Sequence, residues 1–379
     1  MKKRITYFDL AKGIGIILVV LGHMENIYGG LRTWISSFHM PLFFVISGML
    51  LIAKGEINAD TCVIKDIRAI TKKTAKGLLI PYLWFSLIYV PIDVMNLFIQ
   101  NVDEHTFIQN ILDSVTLAGI SVMWFLPALF IAEIISLCLV SVARKLSSKK
   151  FQIYVCLYIL ALIVSIVSYG IWTKIRPIYD ANMDSYIIST ALGVIRTILR
   201  GMAMSIHVVS GIILFTIISY VDERYADKKL EIRGYSLAAG VILFVINISL
   251  SLKNGAVDNH FMTFNTLPLY YMCALLGSLS IILICKGFAS IGFIDFLGRN
   301  SLIIMATHLQ CYILYAGIRI ALVIDQWVTR AKSYIYMFNS VLFTMLIEVI
   351  IILVINKFFP FITGKGSIKD LFTKSPKNE

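Results

Sequence analysis

Long apolar runs separated by short charged loops make up most of the chain. A helix needs about 20 mostly apolar residues to cross the hydrocarbon core of a bilayer. The pattern predicts an all-α polytopic membrane protein with about ten transmembrane helices, of which the second and seventh are short. The predicted spans are roughly 8–28, 37–53, 78–99, 121–142, 152–172, 202–221, 235–252, 267–286, 301–323 and 334–356.

The basic residues are distributed unevenly between the two sides of these spans. With the N-terminus in the cytoplasm, the cytoplasmic segments carry 24 Lys and Arg residues and the external segments carry nine. Because positive charge concentrates in cytoplasmic loops, this split predicts that both termini are cytoplasmic. We predict a membrane-embedded domain over residues 6–355 and a cytoplasmic polar tail over 356–379, in the cell inner membrane. Four tryptophans fall at predicted external boundaries, where interfacial residues are expected: Trp34, Trp124, Trp172 and Trp327.

The composition excludes soluble classes of protein. Apolar residues make up 58% of the chain and charged residues 15%, whereas about 25% of a typical soluble domain is charged. A net charge of +12 would suggest nucleic-acid binding in a soluble protein, but here the loop topology accounts for it. The six cysteines are scattered, with no CxxC pair and no histidine at zinc spacing. They are interpreted as small packing residues, and no metal site is expected.

Two ionisable residues in the first span share one helix face. Lys12 and His23 are eleven residues apart, which is three turns plus about 20° and about 16 Å along the axis. Because such groups are costly in hydrocarbon, functional use is the first hypothesis for them. The structural alternative is a lysine that reaches the interface and a histidine that bonds to a neighbouring helix.

Two further histidines are candidates for proton chemistry. His39 opens the second span, so it is expected in the external half beside His23, where two imidazoles could move a proton near neutral pH. His308 follows Ser301 by seven residues, which places both about 20° apart on one face. Arg299 and the start of that helix predict an anion site, with helix capping by Asn300 or Ser301 as the alternative.

A basic stripe precedes the third span. Lys65, Arg68, Lys72 and Lys76 are spaced by three, four and four, which aligns them on one face of a helix. The stripe predicts either a docking site for a polyanion or a helix attracted to anionic lipid.

Three acidic residues fall deep within predicted spans. Glu133 and Glu348 lie near mid-membrane, and Asp93 is similarly deep. For each we predict an ion pair with a buried lysine, arginine or histidine. Walker, GxSxG, HExxH and dinucleotide signatures are absent from the sequence, so a covalent serine relay has no support.

Five blocks in order resemble the acyltransferase 3 family of integral membrane acyltransferases: DLAKGIGIILVVLGH, FHMPLFFVISG, TKKTAKGLLIPYLWF, MWFLPALF and FLGRNSLIIMATHL. The family's signature of a basic residue, ten residues and a histidine matches Lys12 and His23. The first two blocks resemble most closely the sugar O-acetylase branch, which includes proteins like fucose 4-O-acetylase. The resemblance extends over residues 6–355.

The resemblance implies transfer of an acetyl group from cytoplasmic acetyl-CoA to a hydroxyl of a cell-surface or lipid-linked glycan. His23 would be the general base or would briefly carry the acetyl group, and His39 and His308 would orient groups or transfer protons. The expected partners are acetyl-CoA, the glycan acceptor and the lipid bilayer, with no nucleic acid. The residues expected to bind the coenzyme are Lys12, Arg68, Lys72, Lys73, Lys76 and Arg299.

A transporter or flippase for a small polar solute or lipid-linked sugar is the alternative function. Intramembrane charges suit a transport pathway as well as a catalytic site. Thioester cleavage or acetyl transfer by the protein would separate the two classes, because a transporter should show neither.

Overall fold

The computed structural model describes residues 5–24, 27–99, 102–288, 290–328 and 333–365. Within these ranges the chain forms thirteen α-helices and one two-stranded hairpin. The helices are α1 (Thr6–Gly22), α2 (Gly29–Ala53), α3 (Ile67–Ile99), α4 (Glu104–Val115), α5 (Phe125–Leu146), α6 (Lys150–Ala181), α7 (Tyr186–Arg224), α8 (Lys229–Asn254), α9 (Leu267–Gly287), α10 (Gly292–Arg299), α11 (Ser301–Thr307), α12 (Ile313–Val328) and α13 (Ser333–Phe358). The strands are β1 (Val257–Asp258) and β2 (Thr263–Phe264), which pair antiparallel.

Eight of the helical segments in the described ranges are long and apolar enough to cross a membrane. The all-α polytopic membrane architecture is therefore confirmed. α1 is also apolar but has 17 residues, and Ile313–Ile324 is a shorter apolar helix.

Helices α2 and α7 form the centre of the bundle. Their apolar windows are the most buried of the eight spans, whereas α6 and α8 present isoleucines and valines outwards at the periphery. α2 and α7 approach closely because a glycine of each helix lies against the backbone of the other: Gly48 of α2 lies against Val208, and Gly211 of α7 lies against Val45. Small residues of this kind let membrane helices pack backbone to backbone.

The predicted ninth span, 301–323, is wrong as a continuous helix. α11 ends at Thr307, and α12 begins only at Ile313. Tyr312 adopts a left-handed conformation with φ of 57°, which ends the regular hydrogen-bond pattern. α3 stabilises the break, because Asp93 accepts a bond from Gln310 at 3.1 Å and Asn96 accepts one from Tyr312 at 2.7 Å.

The third span and the end of the chain also differ from prediction. α3 has 33 residues and includes Arg68 to Lys76, so the basic segment belongs to the same helix as the span. α13 continues to Phe358, and Phe361 and Ile362 are buried in a 3-10 turn over Pro360–Thr363. The first part of the predicted polar tail is thus packed against the bundle, and residues 366–379 lie outside the described residues.

Candidate active site

Three adjoining cavities follow one face of α2 through the bundle. The histidine cavity, of about 640 Å³, is lined by His23, His39 and His260. The apolar neck, of about 220 Å³, includes Lys12 and shares Val19, Met40 and Met305 with the histidine cavity. The lysine cavity, of about 250 Å³, contains Lys54 and Lys73 and shares Ser47, Leu50, Leu78 and Glu133 with the neck.

The α2 residues that line these cavities recur every three or four positions. One continuous row among the lining residues is formed by Arg32, Ser36, His39, Phe43, Ser47 and Leu50, and Lys54 continues it directly after the end of α2. Twenty-two residues of helix correspond to about 33 Å, close to the hydrocarbon thickness of about 30 Å. A single helix face therefore connects the two ends of the bundle.

His23 and His308 contact each other at the wall of the histidine cavity. His308 Nε2 lies 3.4 Å from His23 Nδ1, and the ring centroids are 5.1 Å apart. His308 is fully buried, whereas His23 is half-buried and lines the cavity. The contact joins α1 to the helix break that follows α11.

Hydrogen bonds to backbone carbonyls indicate which ring nitrogen carries the proton in each of the three predicted histidines. Nδ1 of His23 lies 2.8 Å from the Val19 carbonyl, Nδ1 of His39 lies 2.7 Å from the Ile35 carbonyl, and Nδ1 of His308 lies 2.8 Å from the Ile304 carbonyl. A carbonyl only accepts, so each Nδ1 carries the proton. The basic nitrogen of each ring is therefore Nε2, which in His308 faces the Nδ1–H of His23.

Lys12 lies in the neck, on the face of α1 that leads to His23. Its ammonium pairs with Asp9 at 3.0 Å, and the Asp9 carboxylate is almost fully buried. Ser301 also lines the neck. The N-cap of α11 is Asn300, whose side chain bonds to the Phe296 carbonyl and to Asn356.

The other basic residues predicted from sequence are spread over the surface. Lys73 lines the lysine cavity and pairs with Glu56. Arg68, Lys72, Lys76 and Arg299 are exposed and line none of the three cavities. Lys65 precedes α3 in a short β-bridged turn, so the predicted four-residue stripe is wrong for its first member.

The predicted ion pairs of the deep acidic residues are not found among the described residues. Glu133 accepts hydrogen bonds from Ser47 and from Thr74, the latter at 2.8 Å. Glu348 accepts from Thr307 at 2.8 Å, and Asp93 accepts from Gln310. Hydroxyl and amide donors thus satisfy these carboxyl groups, and Glu133 lies where the neck meets the lysine cavity.

A hairpin loop that the sequence did not reveal closes one side of the histidine cavity. Asp258 and His260, on and after β1, line the cavity. Asn259 donates to the Ser36 carbonyl at 3.1 Å, and Trp172 Nε1 donates to the Phe261 carbonyl at 2.7 Å. These bonds hold the loop against α2 and α6.

Three of the tryptophans expected at external boundaries do not face outwards as interfacial belt residues would. Trp34, Trp124 and Trp172 are 9%, 7% and 0% exposed, so they are buried within the protein. Trp124 stacks on His260 with ring centroids 5.6 Å apart. The side chain of Trp327 lies outside the described residues.

The pH dependence of stability should include a contribution from His260. Burial, followed by Arg200 and Arg196, lowers the pKa of His260 well below its ordinary value of 6.5. The unfolded chain therefore binds this proton first, and stability falls as pH decreases from about 6.5 towards the folded-state pKa. In thermal melts of the detergent-solubilised proteins, the melting temperature of His260→Gln should fall less from pH 7 to pH 5 than the melting temperature of wild type. Equal pH slopes for both proteins would contradict this.

Comparison with known proteins agrees with this architecture of a transmembrane helical bundle around an internal path. A family model described as an acyltransferase domain, that of the acyltransferase 3 family, matches residues 5–362. The chain belongs to the acyltransferase 3 family. No curated protein and no solved structure matches the chain.

Family membership identifies this protein as a multi-pass membrane acyltransferase. The match includes α1 to α13, so every residue of the three cavities lies within the acyltransferase domain. Among the described residues, no group of three or more His, Cys, Asp or Glu side chains is arranged to hold a metal ion. That the reaction proceeds without a metal stays a prediction.

Proposed function

We propose that this acyltransferase moves an acetyl group from cytoplasmic acetyl-CoA to a hydroxyl of a cell-surface or lipid-linked glycan, in the manner of the sugar O-acetylases. The observation that carries the proposal is the continuous face of α2, which connects a cavity lined by two lysines to a cavity lined by three histidines. An acyl donor and an acyl acceptor from opposite sides of the membrane can meet along such a path.

The lysine cavity suits the charged part of the donor. Lys54 and Lys73 line it, and lysine binds phosphate as a point charge. Arg68, Lys72 and Lys76 lie on the same helix as Lys73 and would attract the coenzyme from the cytoplasm. Arg299 would add to this field from the end of α10.

The neck suits the uncharged arm of the donor. Its wall is mainly apolar, with Phe43, Leu126 and Leu129 among its residues. A polyanion is excluded from such a passage by the cost of desolvation, whereas a thioester arm is not. Lys12 lies on the path between the two ends and would guide the thioester towards His23.

The histidine pair suits acyl transfer at the far end. In one route His23 Nε2 takes the proton of the acceptor hydroxyl, whose oxygen attacks the thioester carbonyl; the C–S bond then breaks and the thiolate takes the proton. In the other route Nε2 itself attacks the thioester carbonyl, the C–S bond breaks and the thiolate leaves; the acceptor hydroxyl then displaces the imidazole, and its proton goes to the thiolate. In both routes His308 Nε2 would share the Nδ1 proton of His23 with the Val19 carbonyl and stabilise positive charge on the His23 ring. His39, in the same cavity, would orient the acceptor or relay a proton.

Sided vesicles test this function directly. Acetyl-labelled coenzyme A thioester is supplied to inside-out and to right-side-out vesicles that contain the protein, and label is followed into the glycan fraction together with release of free thiol. We expect transfer only in inside-out vesicles, where the donor contacts the cytoplasmic face. Vesicles without the protein are the control.

Two other results would contradict the proposal. Transfer with the donor on the opposite face would overturn the direction across the membrane. Uptake of a solute or lipid-linked sugar without any thioester cleavage, with a glycan acceptor present, would identify a transporter instead.

A further inference from the structure

Two arginines lie buried on one face of α7, beside the histidine cavity. Arg196 and Arg200 are four residues apart, and they are 2% and 0% exposed. Like charges at this spacing repel each other on a helix. Because a guanidinium group does not lose its proton in a protein, both positive charges persist in the interior.

Most of the nitrogens of these two side chains have no hydrogen-bond partner among the described residues. They are Nε and Nη1 of Arg196 and Nε, Nη1 and Nη2 of Arg200. Neither arginine belongs to an ion pair within those residues. An uncompensated buried charge is strongly destabilising, so the protein carries a cost that a bound anion would remove.

The two carboxylates that interact electrostatically with these arginines accept hydrogen bonds from other groups. Asp113, which acts on Arg196, accepts from Gln109 at 2.8 Å. Asp258, which acts on Arg200, accepts from the backbone N–H groups of His260 and Phe261 at 2.7 and 3.1 Å. Neither carboxylate takes up the free N–H groups of the arginines.

Aromatic rings position the guanidinium groups next to the cavity wall. Arg200 Cζ lies 4.7 Å from the ring centroid of Trp124, which lines the histidine cavity. Arg196 Cζ lies 4.8 Å from the centroid of Tyr179 and 5.0 Å from that of Phe261. The attraction between a cation and an aromatic face holds each guanidinium group in place.

His260 lies in the positive field of the two arginines. Its Nε2 also lacks a partner, and both arginines contribute to lowering the pKa of its ring. His260 stacks on Trp124 and lines the cavity that contains His23. The unpartnered nitrogens of the arginines thus lie behind the wall of the candidate active site that Trp124 and His260 form.

We propose that Arg196 and Arg200 bind an anionic group of the acyl acceptor, either a carboxylate or a phosphate. This group enters from the histidine cavity, at the edge formed by Trp124 and His260. This inference rests on the proposed acyltransferase function and names the chemical class of its acceptor. Arginine forms paired, charge-assisted hydrogen bonds with either group. The anion belongs to the acceptor because the apolar neck separates this wall from the lysine cavity.

Ligand-dependent thermal stability of the purified full-length protein in detergent tests the proposal. At constant ionic strength, the melting temperature is measured with glucuronate for the carboxylate, glucose 1-phosphate for the phosphate and glucose as the neutral sugar. We expect at least one of the anions to raise the melting temperature and glucose to have no effect. A shift with glucuronate alone identifies an acidic sugar as the acceptor, and a shift with glucose 1-phosphate alone identifies a phosphate-linked one.

Variants locate the binding site. The double variant Arg196→Gln and Arg200→Gln should weaken the apparent affinity for the anion at least tenfold. Arg176→Gln is the matched control, because Arg176 reaches the same hairpin through Thr263 at 2.6 Å but is paired with Asp180; it should keep the wild-type shift. Without ligand, Arg200→Met should melt no lower than wild type, since it removes an uncompensated charge.

Two results would overturn the anion site: no shift of the wild-type melting temperature with either anion, or an equal shift in the double variant. His23→Ala separates this failure from failure of the proposed function. If the anion still shifts the melting temperature of His23→Ala but wild type transfers no acyl group, the anion site stands and the acyltransferase function proposed here is rejected. If acyl transfer depends on His23 but neither anion shifts the melting temperature, the proposed function stands and the anion site is rejected.

Discussion

Replacing His23 by alanine is expected to lower acyl transfer about a hundred- to ten-thousand-fold while the protein remains folded in the membrane. The proton of the acceptor hydroxyl would have no base within the histidine cavity at this position, and the acyl-histidine route would be closed as well. The measurement is initial rate of label transfer from the coenzyme A thioester, normalised to the amount of monodisperse protein recovered in detergent.

His105→Ala is the matched control for this variant. His105 lies on α4, where it contacts the Asp184 carbonyl at 3.0 Å and stacks on Tyr186, and it lines none of the three cavities. Its replacement should leave transfer unchanged. Equal rates for His23→Ala and wild type would exclude His23 as base and as acyl carrier.

His308→Gln extends the same test to the neighbouring ring. His308 acts through His23, so it is a positioning residue rather than a group that touches substrate. Its loss should reduce the maximal rate more than the affinity for donor and should shift the pH profile of the rate, because the charge on the His23 ring is no longer stabilised. A change in melting temperature alone would assign His308 a structural role.

Adding one methyl group where α2 crosses α7 is expected to destabilise the whole bundle. A Cβ at Gly48 would lie 2.8 Å from the carbonyl carbon of Val208, and one at Gly211 would lie 2.9 Å from the carbonyl carbon of Val45. Carbon atoms in contact prefer separations of about 3.5–4.0 Å, and backbone cannot move aside as a side chain can. Gly48→Ala and Gly211→Ala should each cost about 1–3 kcal/mol or more.

Gly170→Ala provides the comparison for these two variants. Nothing lies within 4 Å of a Cβ at Gly170 on α6, and alanine is favoured over glycine in a helix by about 0.5–1 kcal/mol. Thermal melting with size-exclusion chromatography in detergent should place Gly170→Ala at or above wild type and the other two below it. If all three variants melt together, the close α2–α7 contact does not limit stability.

The helical membrane architecture could be predicted from the sequence because its signal is local. Apolar runs of span length recur along the chain, and most of them coincide with long helices, such as 152–172 within α6 and 267–286 within α9. The exception at 301–323 shows what hydropathy does not record. The break after His308 depends on polar groups of α3, more than two hundred residues earlier, that satisfy the freed turn.

The candidate site could be predicted only where its residues belong to one helix. Lys12 and His23 share a face of α1 by helical periodicity, and the structure places them in adjoining cavities. The partner of His23, by contrast, comes from a distant helix end, and the cavity wall comes from a hairpin between α8 and α9. From the sequence, Arg196 and Arg200 count among the external charges, although residues 187–201 could also belong to the sixth span; the structure places both on α7, which begins at Tyr186.

By itself, the sequence determined that the chain is a membrane-spanning helical protein, that Lys12 and His23 share one helix face, and that its blocks resemble membrane acyltransferases. Hydropathy and the period of 3.6 residues are properties of neighbouring residues, so they can be read without contacts. Only the tertiary structure decided that His308 meets His23, that one face of α2 connects lysines to histidines, and that two arginines lie unpaired behind Trp124. These facts depend on which helix faces meet, and that is set by backbone contacts such as Gly48 against Val208, which local sequence patterns do not encode.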